Sequence, residues 1–275
     1  MEKLVLTDPA KVEVAATYNS AADHFDDVPL AFWDRFGRRT VDRLDLKAGS
    51  TVLDVGCGTG ASALPAAAHV GLGGSVVGVD LADNLLELAR AKAAERGLNN
   101  VEFRLADMTD LGFPAKRFDA VVSVFSIFFV PNMEALVCEL WRMVRPGGKL
   151  AITTWGPRIF EPAYTVWRDL VRAERPDLYC AFNPWDRITS PEQMQELIRG
   201  GGVPHAEVVS ESGRQPLRSP EDWWTVVMGS GLRSTMDAMD AETATRIHDR
   251  SVNWLRDNAI ESIETNVIYG VAIKA

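Results

Sequence analysis

The segment Val52-Leu53-Asp54-Val55-Gly56-Cys57-Gly58-Thr59-Gly60 constrains this 275-residue chain more than any other. A short apolar run carries an acid and then breaks into glycines at alternate positions. Such glycines let the backbone turn sharply and let a ligand approach where a Cβ would collide. Two further acids close apolar runs downstream: Asp80 ends Val76-Val77-Gly78-Val79-Asp80, and Asp107 follows Val101-Glu102-Phe103-Arg104-Leu105-Ala106. If these runs are adjacent parallel strands, three carboxylates meet at the carboxyl edge of one sheet, where α/β proteins bind ligands. The intervening segments agree. Asn84 to Arg96 carries Leu85, Leu88 and Ala89 at helical spacing, with Gly97 as a stop. Met133, Leu136, Val137, Leu140, Trp141 and Val144 form the stripe of an amphipathic helix. Pro146-Gly147-Gly148 then turns the chain into a strand from Lys149 to Trp155. Strands separated by helices predict an α/β, doubly wound, parallel sheet.

The acids suit a ligand that brings its own positive charge. A diphosphate over the glycine loop would be repelled by Asp54. An acid at the second strand end accepts hydrogen bonds from ribose hydroxyls, and one at the third accepts from an exocyclic amine. A cationic amino-acid group, a ribose and an adenine, in that order, describe S-adenosylmethionine. With VLDVGCGTG, GVDLA, Ala106-Asp107-Met108, FDAVVSVFSIFFVPN and LWRMVRPGGKLAITTW in this order, residues 40–156 resemble the class I S-adenosylmethionine-dependent methyltransferases. The resemblance is to the ubiquinone/menaquinone C-methyltransferase-like (methyltransferase type 11) branch in particular. It implies a Rossmann-like, seven-stranded, mostly parallel sheet with an antiparallel last strand. Ala206–Ser210 and Asn266–Ile273 would be the sixth and seventh strands. It also implies methyl transfer from S-adenosyl-L-methionine, leaving S-adenosyl-L-homocysteine, to a small apolar or aromatic acceptor such as a secondary metabolite or quinone-like molecule.

A single domain is expected: a helical cover over 1–46, a cofactor-binding core over 47–156, cap insertions with the sixth strand over 157–264, and the last strand over 265–275. Ser190-Pro191-Glu192-Gln193 and Ser219-Pro220-Glu221-Asp222 each read as an N-cap, a proline in the first turn and acids on the helix dipole. Pro65 would interrupt a helix running from Gly60 to Val70.

Roles follow from these placements. Gly56, Gly58 and Gly60 contact the cofactor, with Cys57 as filler between them. Asp54 orders the loop and faces the cofactor's ammonium, directly or through water. The Thr59 hydroxyl either caps the next helix or touches the ligand. Asp80 holds both ribose hydroxyls, and Leu81 packs on the adenine. Asp107 reads the adenine amine or caps the turn at Thr109-Asp110, with Ala106 and Met108 as its neighbours. The resemblance alone puts Val124 and Phe125 against the cofactor, and has Tyr18 and Phe25 close over it. Phe128 and Phe129 are either the floor of an acceptor site or two core aromatics. Trp33 and Trp155 flank the same edge and are the pocket candidates among eight tryptophans. No catalytic base is assigned. His24 and His205 lie in covering segments, His69 is structural, and in-line positioning alone can carry such a reaction.

Composition narrows the partners. Lys+Arg 29 against Asp+Glu 38 gives a net charge of −9 with no basic run, which disfavours nucleic acid. The Asn/Asp-Pro-Pro-aromatic motif of DNA-methylating relatives is replaced by Val124–Phe129. Cys57, Cys138 and Cys180 are odd in number and lack metal-ligand spacing, as expected of thiols in a reducing cytosol, and no metal is predicted. Leu4-Val5-Leu6 is too short for a signal h-region, and no run nears the ~20 apolar residues that span a bilayer. A cytoplasmic protein without membrane insertion is expected; the oligomeric state is left open. Two rivals stand beside the main reading. A nicotinamide-dependent dehydrogenase also pairs a glycine loop with a later acid, but Asp54, Asp107 and the missing G-x-G-x-x-G spacing oppose it. The other rival is a methyltransferase-like protein that binds the cofactor without transferring its methyl.

Overall fold

The computed structural model describes residues 6–275. The reading of Leu4-Val5-Leu6 therefore falls largely outside the described residues. Two helices, α1 (Pro9–Ala21) and α2 (Phe32–Asp42), precede the sheet. Asp8 caps α1, accepting from the Ala10 N–H at 3.0 Å, with Pro9 in the first turn. Then β1 (Thr51–Val55), α3 (Ala63–Val70), β2 (Ser75–Asp80), α4 (Asp83–Glu95), β3 (Val101–Leu105), β4 (Phe118–Val124), α5 (Met133–Met143) and β5 (Val144–Trp155) follow. The second half comprises α6 (Ala163–Glu174), α7 (Pro191–Gly200), β6 (Glu207–Glu211), β7 (Arg214–Pro216), α8 (Glu221–Met228), α9 (Arg233–Asp237), α10 (Ala241–Asp257), β8 (Ser262–Glu264) and β9 (Val267–Ile273).

Seven strands form one sheet in the order β3-β2-β1-β4-β5-β9-β6. The first five are parallel, and β9 runs antiparallel to both β5 and β6. Val52, Leu53, Asp54 and Val55 are all buried, as suits the interior place of β1 between β2 and β4, whereas edge strand β3 buries only Phe103. The chain leaves β1 toward β2 on one side and returns to β4 on the other. This reversal opens a crevice above the carboxyl ends of β1 and β4. The antiparallel β9 departs from the all-parallel order of dinucleotide-binding sheets, which counts against the dehydrogenase reading.

Several local expectations are corrected. The first helix after the glycine loop starts at Ala63 rather than Gly60, and Pro65 sits in its first turn, where an N–H has no intrahelical partner to lose. Helix α4 starts at Asp83, one residue before the expected position. Strand β5 starts at Val144, and the Pro146-Gly147-Gly148 segment bulges within it: pairing jumps from Phe118↔Val144 to Ala120↔Lys149. Ser190 does form a capping box with Gln193, whereas Ser219 caps nothing. At that second site the Asp222 carboxylate turns back to accept from the Arg218 N–H at 2.7 Å.

The short β7–β8 pair has no counterpart in the sequence reading. Helix α7, expected in the cap, packs on α5, β6 and β9 and flanks the sheet. A Cβ on Gly201 would stand 2.3 Å from Val137, so the turn after α7 needs that glycine to approach α5. The remaining helices pack as a cover: α6 against α10, α8 against α10 and the 28–30 turn, α9 against α1. No helix among the described residues is long and apolar enough to cross a membrane.

Candidate functional site

The glycine loop is pinned to the neighbouring strand. The Gly56 and Cys57 N–H groups both donate to the Val79 carbonyl, at 2.8 and 3.0 Å. Gly56 has φ +71°, and a Cβ there would lie 2.3 Å from Ser126 Cβ. Ser126 itself donates to the Val55 carbonyl at 2.7 Å and shares a 2.7 Å bond with Ser123. The Asp80 carboxylate accepts from the Gly58 N–H at 2.8 Å on one oxygen and from the Ala82 N–H at 2.9 Å on the other. These bonds fix its orientation while each oxygen keeps a lone pair for a ligand hydroxyl. Burial pushes the Asp80 carboxyl up, and the backbone donors pull against it.

A pocket above this loop brings together Tyr18, Phe25, Trp33, Gly56, Cys57, Gly58, Thr59, Asp80, Leu81, Ala106, Met108, Val124, Phe125 and Phe129. Asp54, Gly60, Asp107, Phe128 and Trp155 stand outside its walls.

Asp54 lies beneath the loop, 1% exposed. Ser62 donates to one of its oxygens at 2.7 Å, and the other oxygen is buried without a partner. Burial, aided by Asp80 and opposed by the Ser62 bond, pushes its carboxyl up to about 7. Gly60, with φ +86°, turns the chain toward α3, where a Cβ would crowd Leu64 at 2.9 Å.

One Asp107 oxygen holds Lys11 Nζ at 2.5 Å, and the other accepts from the Thr109 N–H and hydroxyl at 2.9 and 2.8 Å. Burial pushes its carboxyl up, but Lys11 and Thr109 outweigh that and hold it below the usual range. The turn expected at Thr109 is present, and α1 is tied to it through Lys11.

Thr59 caps no helix. Its hydroxyl donates to Asp26 at 2.7 Å and accepts from Lys92 at 2.8 Å, joining the loop to the N-terminal segment and to α4. Burial pushes the Cys57 thiol up, as befits a filler rather than a nucleophile.

Phe125 adopts φ +52°, an uncommon conformation for an aromatic residue. Its ring stacks on Trp155 at 4.1 Å and meets Trp33 edge-on at 5.5 Å, and its N–H bonds to the Thr153 carbonyl at 2.8 Å. This surrounding structure holds the strained backbone in place. Phe128 and Trp155 line a small neighbouring cavity with Phe160 and Trp185.

A larger cavity, about 520 Å³, lies beyond Tyr18 and Phe129, which line both it and the loop pocket. Its other walls come from the rest of α1, from α6, from the 177–185 segment and from α9 with the residues just before it. None of the four histidines lines these pockets. His24 pairs with Asp27, His69 bonds the Pro65 carbonyl, and His248 lies between Glu221 and Asp249. The described residues contain no metal-holding cluster.

The sequence reading missed Ser62, Ser126 and Lys11. A serine eight residues after Asp54, at the entry to the next helix, was a faint signal for the first; nothing local marked the other two.

A methyltransferase-domain family model matches residues 52–148. Nocamycin O-methyltransferase of Saccharothrix syringae is 39% identical over 150 residues, 54% of this chain and 52% of the relative, so the chain spans about half of that protein's length. Demethylmenaquinone methyltransferase of Tropheryma whipplei strain Twist is 34% identical over 170 residues, covering 60% of this chain and 69% of the relative. The crystal structure of the YcgJ protein of Bacillus subtilis shares the fold, with a TM-score of 0.58 at 19% identity over 88% of this chain and all of that one. By the matched family model, the curated relatives and the sheet order, the chain belongs to the class I S-adenosylmethionine-dependent methyltransferases.

Proposed function

We propose that this protein transfers a methyl group from S-adenosylmethionine to a small, apolar or aromatic organic acceptor. The observation that carries the reading is the pairing of two chambers. A loop pocket floored by glycines and Asp80 adjoins a larger aromatic cavity, with Tyr18 and Phe129 shared between them.

The chain's own groups fit the donor. Asp80, oriented by two backbone N–H groups, offers its free lone pairs to the ribose hydroxyls. Leu81, Ala106 and Met108 give the base an apolar slot. A cationic ligand above the loop favours the ionised form of the Asp54 carboxyl, which burial raises and whose second oxygen has no partner. Gly58 leaves the loop open where a Cβ would project toward Phe25. When bound, S-adenosylmethionine supplies a methyl group already activated on a sulfonium sulfur.

The remaining work is positioning and water exclusion. Tyr18, Phe25 and Trp33 close the pocket with rings, and Phe125, held at its strained φ, sets the wall below. A low-polarity enclosure favours a step in which the sulfonium charge is dispersed between sulfur and acceptor, and in-line placement supplies several kcal/mol. The two curated relatives are named for nocamycin and demethylmenaquinone, both small organic molecules.

Incubation with methyl-labelled donor and a panel of aromatic and apolar acceptors tests the reading. Label should pass to an acceptor in the native chain and not in Asp80→Ala. Formation of no labelled product with any acceptor, despite donor binding, would overturn the transfer reading and favour a cofactor-binding protein without that activity.

A further inference from the structure

Tyr164, Trp167, Arg168 and Val171 fall at i, i+3, i+4 and i+7 of α6, and all four line the 520 Å³ cavity. The polar character of that wall is one-sided. Arg168 makes no hydrogen bond or ion pair among the described residues. Its Nε is buried without a partner, and its guanidinium lies 5.6 Å from the Tyr164 ring centroid.

The Tyr164 hydroxyl accepts from Asn183 Nδ2 at 2.7 Å, which leaves its own proton to donate. Burial pushes this phenol up, so it stays protonated at any ordinary pH. Trp167 and Trp185, both buried in the same walls, carry indole N–H groups without acceptors. Among the described residues no acid pairs with Arg168. Asp186, behind Tyr164, accepts from the Asn183 N–H at 2.8 Å, and its charge adds to the rise of the phenol. Both Asp177 oxygens are taken by Arg175, at 2.9 and 2.7 Å, and the other acid at the wall, Glu13, is exposed on α1. A half-buried guanidinium without an anion is costly, and a carboxylate is the group its planar fork matches.

Resting on the methyl-transfer reading above, we propose that this cavity is the acceptor chamber and that it selects planar aromatic or conjugated acids. Arg168 and the Tyr164 O–H hold the ionised group, and Tyr18 and Phe129 mark the passage to the methyl donor. Arg168 is thus a specificity-determining residue.

The test is calorimetric, with anthraquinone-2-carboxylate and anthraquinone-2-carboxamide titrated into chain already saturated with S-adenosylhomocysteine. The acid should bind at least about tenfold more tightly than the amide, the scale of one charge-assisted contact. Arg168→Gln should reduce that preference to within about twofold while S-adenosylhomocysteine binds as before, and Arg168→Lys should restore part of it. Equal affinity for acid and amide, binding of neither, or a preference that survives Arg168→Gln would overturn the proposal. Should Arg168→Gln fail to fold, the native comparison and Arg168→Lys decide. The preceding S-adenosylhomocysteine titration reads the donor pocket separately, so its failure would sink the cofactor reading and not be mistaken for a failure of the chamber.

Discussion

The buried carboxyl of Asp54 makes the stability of this protein depend on pH in a calculable way. Its native value of about 7 stands roughly three units above the usual carboxyl value near 3.9, and one unit corresponds to about 1.4 kcal/mol. Between those two values the unfolded chain has released the proton and the folded chain has kept it. Stability contributed at this site therefore falls as pH rises from about 4 to about 7 and is level above that. Asp54→Asn removes the titration and keeps an acceptor for Ser62. Between pH 5 and pH 8 the variant should gain about 3 kcal/mol relative to the native chain, whatever constant offset the new amide introduces. For a chain of this size that is a relative shift in melting temperature of roughly 6–12 °C, readable by thermal denaturation of both proteins across the pH range. A stability difference between the two that stays constant from pH 5 to pH 8 would refute the account of Asp54 as a carboxyl held largely protonated beneath the loop.

Three other perturbations test separate parts of the structure. Gly56→Ala puts a methyl group 2.3 Å from Ser126 Cβ at φ +71°; it should abolish S-adenosylhomocysteine binding and lower stability by about 2 kcal/mol or more, checked by calorimetry and melting. Lys11→Ala removes the tie between α1 and Asp107; stability should drop by about 1 kcal/mol or less, and amide exchange should quicken across Pro9–Ala21 with the sheet unaffected. Trp223→Ala empties a fully buried site in the cover; it should cost about 3–5 kcal/mol in one cooperative transition, whereas an early separate transition would mean the cover folds apart from the sheet.

The parts of this molecule that were legible in the sequence are those written in local pattern. The alternation of apolar runs with helical stripes marks β1, β2, β3 and β5, and is plainest in β1, where burial on both faces demands an apolar residue at nearly every position; β4 rests on the family resemblance, and edge strand β3 buries only Phe103. The glycine loop and Asp80 are close in sequence, and their relation follows from one β-α-β unit. What escaped depends on segments far apart. Lys11 meets Asp107 across 96 residues, and nothing near either residue signals the pair. Arg168 reads as a solvated charge on an amphipathic helix until the 177–185 segment and α9 fold over it. Helix α7 resembles a cap helix in pattern, and only the placement of β6 and β9 shows that it covers the sheet. Phe128 and Phe129 are adjacent and alike in sequence. The turn of one residue puts Phe129 on the shared wall and leaves Phe128 outside the loop pocket.

The central claim is that the loop pocket is a donor site built on Asp80. Calorimetric titration of S-adenosylhomocysteine into the native chain and into Asp80→Ala, with NAD in parallel, tests it most directly. The account predicts one site per chain for S-adenosylhomocysteine, its loss in Asp80→Ala with the fold intact, and no heat from NAD. Saturable binding of NAD in place of S-adenosylhomocysteine, or S-adenosylhomocysteine binding that is indifferent to Asp80, would contradict it.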